Sequence, residues 1–292
     1  MRMRAVKLKI TVVILVQLTL LFLMFTLTIP SPSHATVFFD TSFEACTVGT
    51  GNDFPCEGWD DFKQERIGAE EVVSGVGFSG SKFMRHFSNG PSPTDQIAGN
   101  TFKPSIYHTL PDMDYLFMRV AMRFSNPFQF CDNGHTKLIR FRAGATPNLW
   151  LYNRWGSYAL VMEAPYDYAG TYVLQTSIVP TKGGWDQIEV EWKLNTPGQS
   201  NGHLRLWING VLRAEQLNKA YRGPTPSSRC GNGSNICASD AVIKSMQIYN
   251  QCMSGTIDYD RIAIGDTRIG LATSQRSSDT NPPTVPSGIQ VR

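Results

Sequence analysis

From Val37 onward the chain is a succession of short apolar or alternating runs separated by Gly, Pro, Asn and Ser, with hardly any stretch of helical period. That pattern predicts an all-β domain. The clearest strands are Leu116 to Phe124, Thr136 to Arg142, Leu149 to Arg154, Tyr158 to Glu163, Gln187 to Leu194, His203 to Ile208, Val242 to Tyr249 and Thr256 to Ile264. Two tight turns punctuate them. Trp155-Gly156 joins two aromatic-rich strands, and Asn209-Gly210 supplies the pair of positive φ angles that a type I′ hairpin requires. So many half-apolar strands pack as two antiparallel sheets around one core.

The two ends of the chain depart from this pattern. Arg2, Arg4, Lys7 and Lys9 precede an apolar run from Ile10 to Ile29, and Pro30 and Pro32 then break the helix. Ser33 and Ala35 put small residues where a signal peptidase reads, so residues 1–35 are expected to be a cleaved export signal. The alternative is an uncleaved anchor, because the apolar run is just long enough to span a bilayer. Residues 36–270 then form the folded domain, expected to be a secreted, cell-surface or periplasmic monomer with no membrane contact after cleavage. Residues 271–292, with Pro282, Pro283 and Pro286, read as a stiff linker.

Charge changes the picture once the leader is set aside. Four of the 27 Lys and Arg lie in the leader, which leaves 23 bases against 24 acids. A nucleic-acid partner is therefore not expected, since such binding needs a concentrated positive excess. All six cysteines follow the leader, and in an oxidising compartment disulfides are the default. Spacing favours two local loops, Cys46 with Cys56 and Cys230 with Cys237, which leaves Cys131 with Cys252. No Cys-x-x-Cys pair points to zinc.

One segment, GWDQIEVEWKLNTPGQSNGHLRLWING from Gly184 to Gly210, resembles a hairpin of concanavalin-like jelly rolls, particularly the polysaccharide-lyase-like ones. Ile188, Val190 and Trp192 share one face, as do Leu204 and Leu206 on the partner strand. FFDTSFE at Phe38 to Glu44 is similar to the first strand of that family, GHTKLIRF at Gly134 to Phe141 to its Lys-bearing central strand, and GTIDYDRIAIGDTRIG at Gly255 to Gly270 to its closing strand. The resemblance implies a two-sheet antiparallel jelly-roll sandwich. The tail PPTVPSGIQV resembles the opening of a fibronectin type III-like module.

In a jelly roll one sheet has a face open to a long ligand, and several strands alternate accordingly. Arg140 and Arg142 alternate with Ile139 and Phe141. Trp150, Tyr152 and Arg154 alternate with Leu149 and Leu151, and Gln247 and Tyr249 with Met246 and Ile248. Such a surface suits an acidic polysaccharide, because flat rings stack on sugars and guanidinium forks pair with carboxylates. If the protein is an enzyme, a lyase acting by β-elimination on a uronate polymer is the expected class. Lys137, Arg140, Arg142 and Arg154 would neutralise the uronate carboxylate, and Tyr152, Tyr158, Tyr166 or His135 would move the proton. Strict alternation would put Lys137 on the face of Ile139 and Phe141, and only a bulge would return it to the groove.

Two other functions compete. A glycoside hydrolase would need two close carboxylates, for which Glu189 with Glu191 and Asp258 with Asp260 are the candidates, though the Glu-x-Asp-x-x-Glu signature is absent. A non-catalytic glycan-binding or adhesive module would use the same groove without a base. No cofactor is required by any of these, while Glu44, Asp258 and Asp260 are candidate ligands for a structural calcium.

Overall fold

The computed structural model describes residues 36–50, 56–59, 61–63, 70–87, 105–130, 135–144, 146–251 and 253–272. The apolar leader, the Pro-rich tail beyond Ala272 and the pairing of Cys131 with Cys252 lie outside the described residues.

Among those residues there is no α-helix. The strands are β1 (Val37–Thr41), β2 (Gly49–Thr50), β3 (Asp61–Lys63), β4 (Glu70–Ser74), β5 (Lys82–Phe87) and β6 (Ser105–Met113). Then come β7 (Tyr115–Phe124), β8 (Gln129–Phe130), β9 (His135–Ala143), β10 (Asn148–Arg154), β11 (Ser157–Glu163) and β12 (Tyr172–Gln175). The last are β13 (Trp185–Lys193), β14 (Gly202–Ile208), β15 (Val211–Lys219), β16 (Ile243–Gln251), β17 (Met253–Ser254) and β18 (Thr256–Gly265). One nine-stranded sheet runs β15, β14, β13, β7, β18, β5, β4, β2, with β1 paired to β18. A seven-stranded sheet runs β12, β11, β10, β9, β16, β6, β3, and β8 pairs with β17 apart from both. The architecture is the two-sheet antiparallel sandwich that the pattern predicts.

Its core follows from side-chain alternation. In the nine-stranded sheet Ile188, Val190 and Trp192 face inward opposite Ile208, Leu206 and Leu204. They join one buried cluster with Phe141, Leu149, Leu151, Leu160 and Met162 of the other sheet. Each such side chain removed from water contributes about 1.5–3 kcal/mol, so the inward faces have little freedom to carry polar chemistry. Both expected turns are present, with φ of 50° and 82° at Trp155 and Gly156 and of 52° and 78° at Asn209 and Gly210. First and last strands meet, Val37 lying opposite Gly265.

Two disulfides close local loops. Cys46 and Cys56 are joined with their Cα atoms 5.5 Å apart, and Cys230 and Cys237 with theirs 4.9 Å apart. Next to the first, Glu57 gathers the turn after β1: it accepts from the Thr41 hydroxyl and from the backbone N–H of Ser42 at 2.8 Å, Phe43 at 2.8 Å and Ala45 at 2.7 Å. Burial alone would raise the Glu57 carboxyl, but these four bonds outweigh it and hold the group below the ordinary 4.5. The carboxylate therefore stabilises the fold above the ordinary glutamate range, and that contribution is lost as pH falls through the depressed folded value. Glu57→Gln is expected to lower the unfolding free energy at neutral pH by about 1–2 kcal/mol. The deficit should shrink on acidification in denaturant titrations, and a variant equally stable at neutral pH would show that the clamp contributes nothing.

Candidate functional site

Strands β9, β10 and β16 include the centre of the seven-stranded sheet, and none contains an Asp or Glu. Ile139, Phe141, Leu149, Leu151, Met246 and Ile248 are spent on the core. What remains faces outward in registered rows: Asn148 beside Arg142 beside Ser245, Trp150 beside Arg140 beside Gln247, and Arg154 beside His135. Tyr107 of β6 extends the middle row, lying opposite Gln247.

Lys137 reaches this face through an irregularity in β9. Ile139 lies opposite Leu151, yet Lys137 lies opposite Tyr152, so Leu138 is an extra residue with no partner on β10. Leu138 and Ile139 are both fully buried in the core. A bulge of this kind reverses the alternation for everything before it, and so turns Lys137 and His135 outward and Thr136 inward. The Lys137 Nζ lies 4.3 Å from the ring centre of Trp150 and 6.0 Å from that of Tyr152.

Trp150 differs from its expected use. It is only 3 % exposed, and the Arg140 guanidinium carbon lies 4.7 Å from its ring centre, with Lys137 also over the ring. The indole is thus a cation–π platform that fixes two positive charges, and not an open stacking surface for sugar. Tyr152 is 5 % exposed, 5.8 Å from Trp150 between ring centres. Around them the Nε of Arg142, the Nε of Arg154 and the Oε1 of Gln247 are shielded within the protein with no hydrogen-bond partner among the described residues.

The other candidates separate. His135 opens β9 as an exposed residue, its ring 6.3 Å from that of Tyr152. Tyr249 falls on β16 opposite Ser105, and its side chain is outside the described set. Tyr166 lies beyond β11, packed on Ala164, Cys230 and Cys237. Tyr158 is a correction. It points into the core, fully buried, and donates its hydroxyl to Asp186 at 3.0 Å. Burial first, and then the Asp186 charge and hydrogen bond, push that hydroxyl well above its ordinary value, so it stays protonated and out of reach of any ligand on the outer face. Two exposed or half-exposed rings escaped the sequence reading as site residues, Tyr107 and Trp155.

The carboxylate pairs that hydrolysis would need are on the other sheet and already engaged. Glu189 accepts from Arg268 at 2.8 Å, and Glu191 accepts from Tyr115, His203 and Arg205. Asp258 is bound by Arg85 and Arg123, while Asp260 accepts from the backbone of Phe78, Ser79 and Arg261. Glu44 likewise accepts from Ser81 and from the backbone of Lys82. Among the described residues no group of three His, Cys, Asp or Glu is arranged to hold a metal ion.

No family model matches the chain, and no curated protein sequence matches it. Solved structures do. An endo-β-1,4-glucuronan lyase from the fungus Trichoderma reesei superposes with a TM-score of 0.53 at 16 % identity, over 80 % of this chain and 96 % of that one. A marine alginate lyase from Aplysia kurodai gives 0.52 at 12 % identity, over 79 % and 99 %. An alginate lyase variant solved with an alginate trisaccharide gives 0.50 at 15 %, over 79 % and 98 %. At these identities the likeness shows the fold, a concanavalin-like jelly roll.

Tyr158→Phe removes a buried donor from Asp186, which keeps Thr181 and Asn209 as donors. The expected loss is about 1 kcal/mol in unfolding free energy with the outer face unchanged. Loss of ligand binding or activity in a folded Tyr158→Phe protein would return this residue to the site.

Proposed function

We propose that the outer face of the seven-stranded sheet binds a uronate-containing polysaccharide and cleaves it by β-elimination, in a protein exported to an oxidising compartment. The observation that carries this reading is the cluster of Lys137, Arg140, Arg142 and Arg154 on outward positions of two strands that contain no acid. A polyanion of closely spaced carboxylates is the complement of such a face. The solved glucuronan and alginate lyases act on uronate polymers with the same fold, which supports the substrate class. The Cys46–Cys56 and Cys230–Cys237 bridges support export, with residues 1–35 as its signal.

Cleavage would break the C–H bond next to the uronate carboxylate and the C–O bond to the leaving sugar, form a C=C bond, and pass the proton to the leaving oxygen. Arg140 and Arg142 are assigned to the carboxylate, where neutralising its charge lowers the barrier to proton removal. Tyr152, directly opposite Lys137, is assigned to the proton transfer, with His135 beside it as the other group within the cluster. The deep setting of Tyr152, 5 % exposed, favours a second reading in which the same face binds the polymer without cutting it.

Incubation with glucuronan, alginate and a glycosaminoglycan, followed by ultraviolet absorbance of the unsaturated product, separates the two. Catalysis is expected to fall about 100-fold or more in Tyr152→Phe with binding retained. Binding should weaken steeply with added salt, since the Debye length is about 10 Å at 0.1 M. Binding without product in the wild type selects the binding module. Absence of binding to every acidic polymer removes the proposal.

A further inference from the structure

Trp155 combines two costs that a turn residue has no need to carry. It occupies the first central position of the type I′ turn between β10 and β11 with φ of 50°, a place that favours Asn, Asp or Gly. A bulky side chain there is strained, and strain of this kind persists where function requires it. Its indole is also 62 % exposed, whereas Trp59, Trp150, Trp192 and Trp207 are each less than 9 % exposed. The turn projects into open space, for a side chain added at Gly156 would meet nothing within 4 Å.

The ring is nevertheless on the outer face of the seven-stranded sheet. Its centre lies 6.1 Å from that of His135, which lies 6.3 Å from Tyr152, which lies 5.8 Å from Trp150. These four rings form a track along β10 from the cation platform to the end of the strand. Trp150 and Tyr152 are nearly inaccessible, so the flat surface that a pyranose ring would cover is offered at the far end, by Trp155.

We propose that Trp155 is a sugar-stacking residue of an outlying subsite, which holds a pyranose ring of the bound polysaccharide beyond the Lys137–Tyr152 cluster and gives the protein its preference for long chains over short ones. This rests on the polysaccharide reading of the outer face. The turn residue is selected for its exposed indole at the expense of turn stability.

Trp155→Asn tests this, because it installs a better turn residue while removing the ring. The variant is expected to unfold at the same or a higher denaturant concentration than the wild type, and to bind polymeric glucuronan or alginate roughly three- to tenfold more weakly. Its affinity for a disaccharide should be unchanged, and Trp155→Phe should recover much of the loss. Acrylamide quenching of wild-type tryptophan fluorescence should fall when polymer is added, because Trp155 dominates the accessible indole. Unchanged polymer affinity in Trp155→Asn, or quenching unaffected by bound polymer, overturns the subsite while leaving the polysaccharide reading intact. A destabilised Trp155→Asn overturns the strain argument and assigns the indole to packing. A wild type that binds no acidic polymer overturns the subsite together with the function it rests on.

Discussion

Side-chain alternation along β9 and β10 is the constraint from which the site follows. Burying one face of each strand in a shared core leaves only the other for a ligand, and a one-residue change of register exchanges the two sets. In β9 the exchange is made once, at Leu138, where two successive apolar residues enter the core and Lys137 emerges opposite Tyr152. Without that extra residue the sheet would present Arg140 and Arg142 but would direct the Lys137 side chain toward the core, where an unpaired ammonium is costly. The bulge makes burial of Leu138 and exposure of a cation compatible within one strand.

The two sheets treat their outward charges differently. On the nine-stranded sheet carboxylates meet cations of the protein itself: Glu189 meets Arg268, Glu191 meets Arg205, and Asp258 meets Arg85 and Arg123. Burial would raise Glu191, yet its hydrogen bonds to His203, Tyr115 and Arg205 keep it below its ordinary value, as expected of a carboxylate that is already satisfied. On the central strands of the other sheet the cations have aromatic rings beneath them and no acid on their own strands. Cation–π contact orders these two charges over one indole.

Much of this was legible in the residues. The alternation in Leu149 to Arg154 and in the Gly184 to Gly210 hairpin gave strands, faces and turns, because period-two burial leaves a direct trace in sequence. Two local disulfides followed from short spacing. Strand β6 escaped although Ile106 and Leu110 are buried on one face, because His108 lies between them and Pro111 sits within the strand. The orientation of Lys137 was open because a bulge is set by the register of three neighbouring strands and leaves no local pattern. Tyr158 was misassigned because both faces of its strand are apolar, Ala159 and Val161 outward and Leu160 and Met162 inward, and the Asp186 that satisfies its buried hydroxyl is distant in sequence. The cover over Trp150 was likewise invisible, since it depends on Lys137 and Arg140 from the adjacent strand. Trp155 read simply as a turn, and only its angle, exposure and neighbours give it another meaning.

A crystal structure of the protein with a uronate tetrasaccharide tests most directly whether the outer face of the seven-stranded sheet is the ligand surface. Sugar carboxylates are expected within hydrogen-bond distance of Arg140 or Arg142, with a pyranose ring beside Tyr152 and Lys137. A sugar seated instead on the nine-stranded sheet, among Glu189, Glu191 and Arg205, would contradict that assignment.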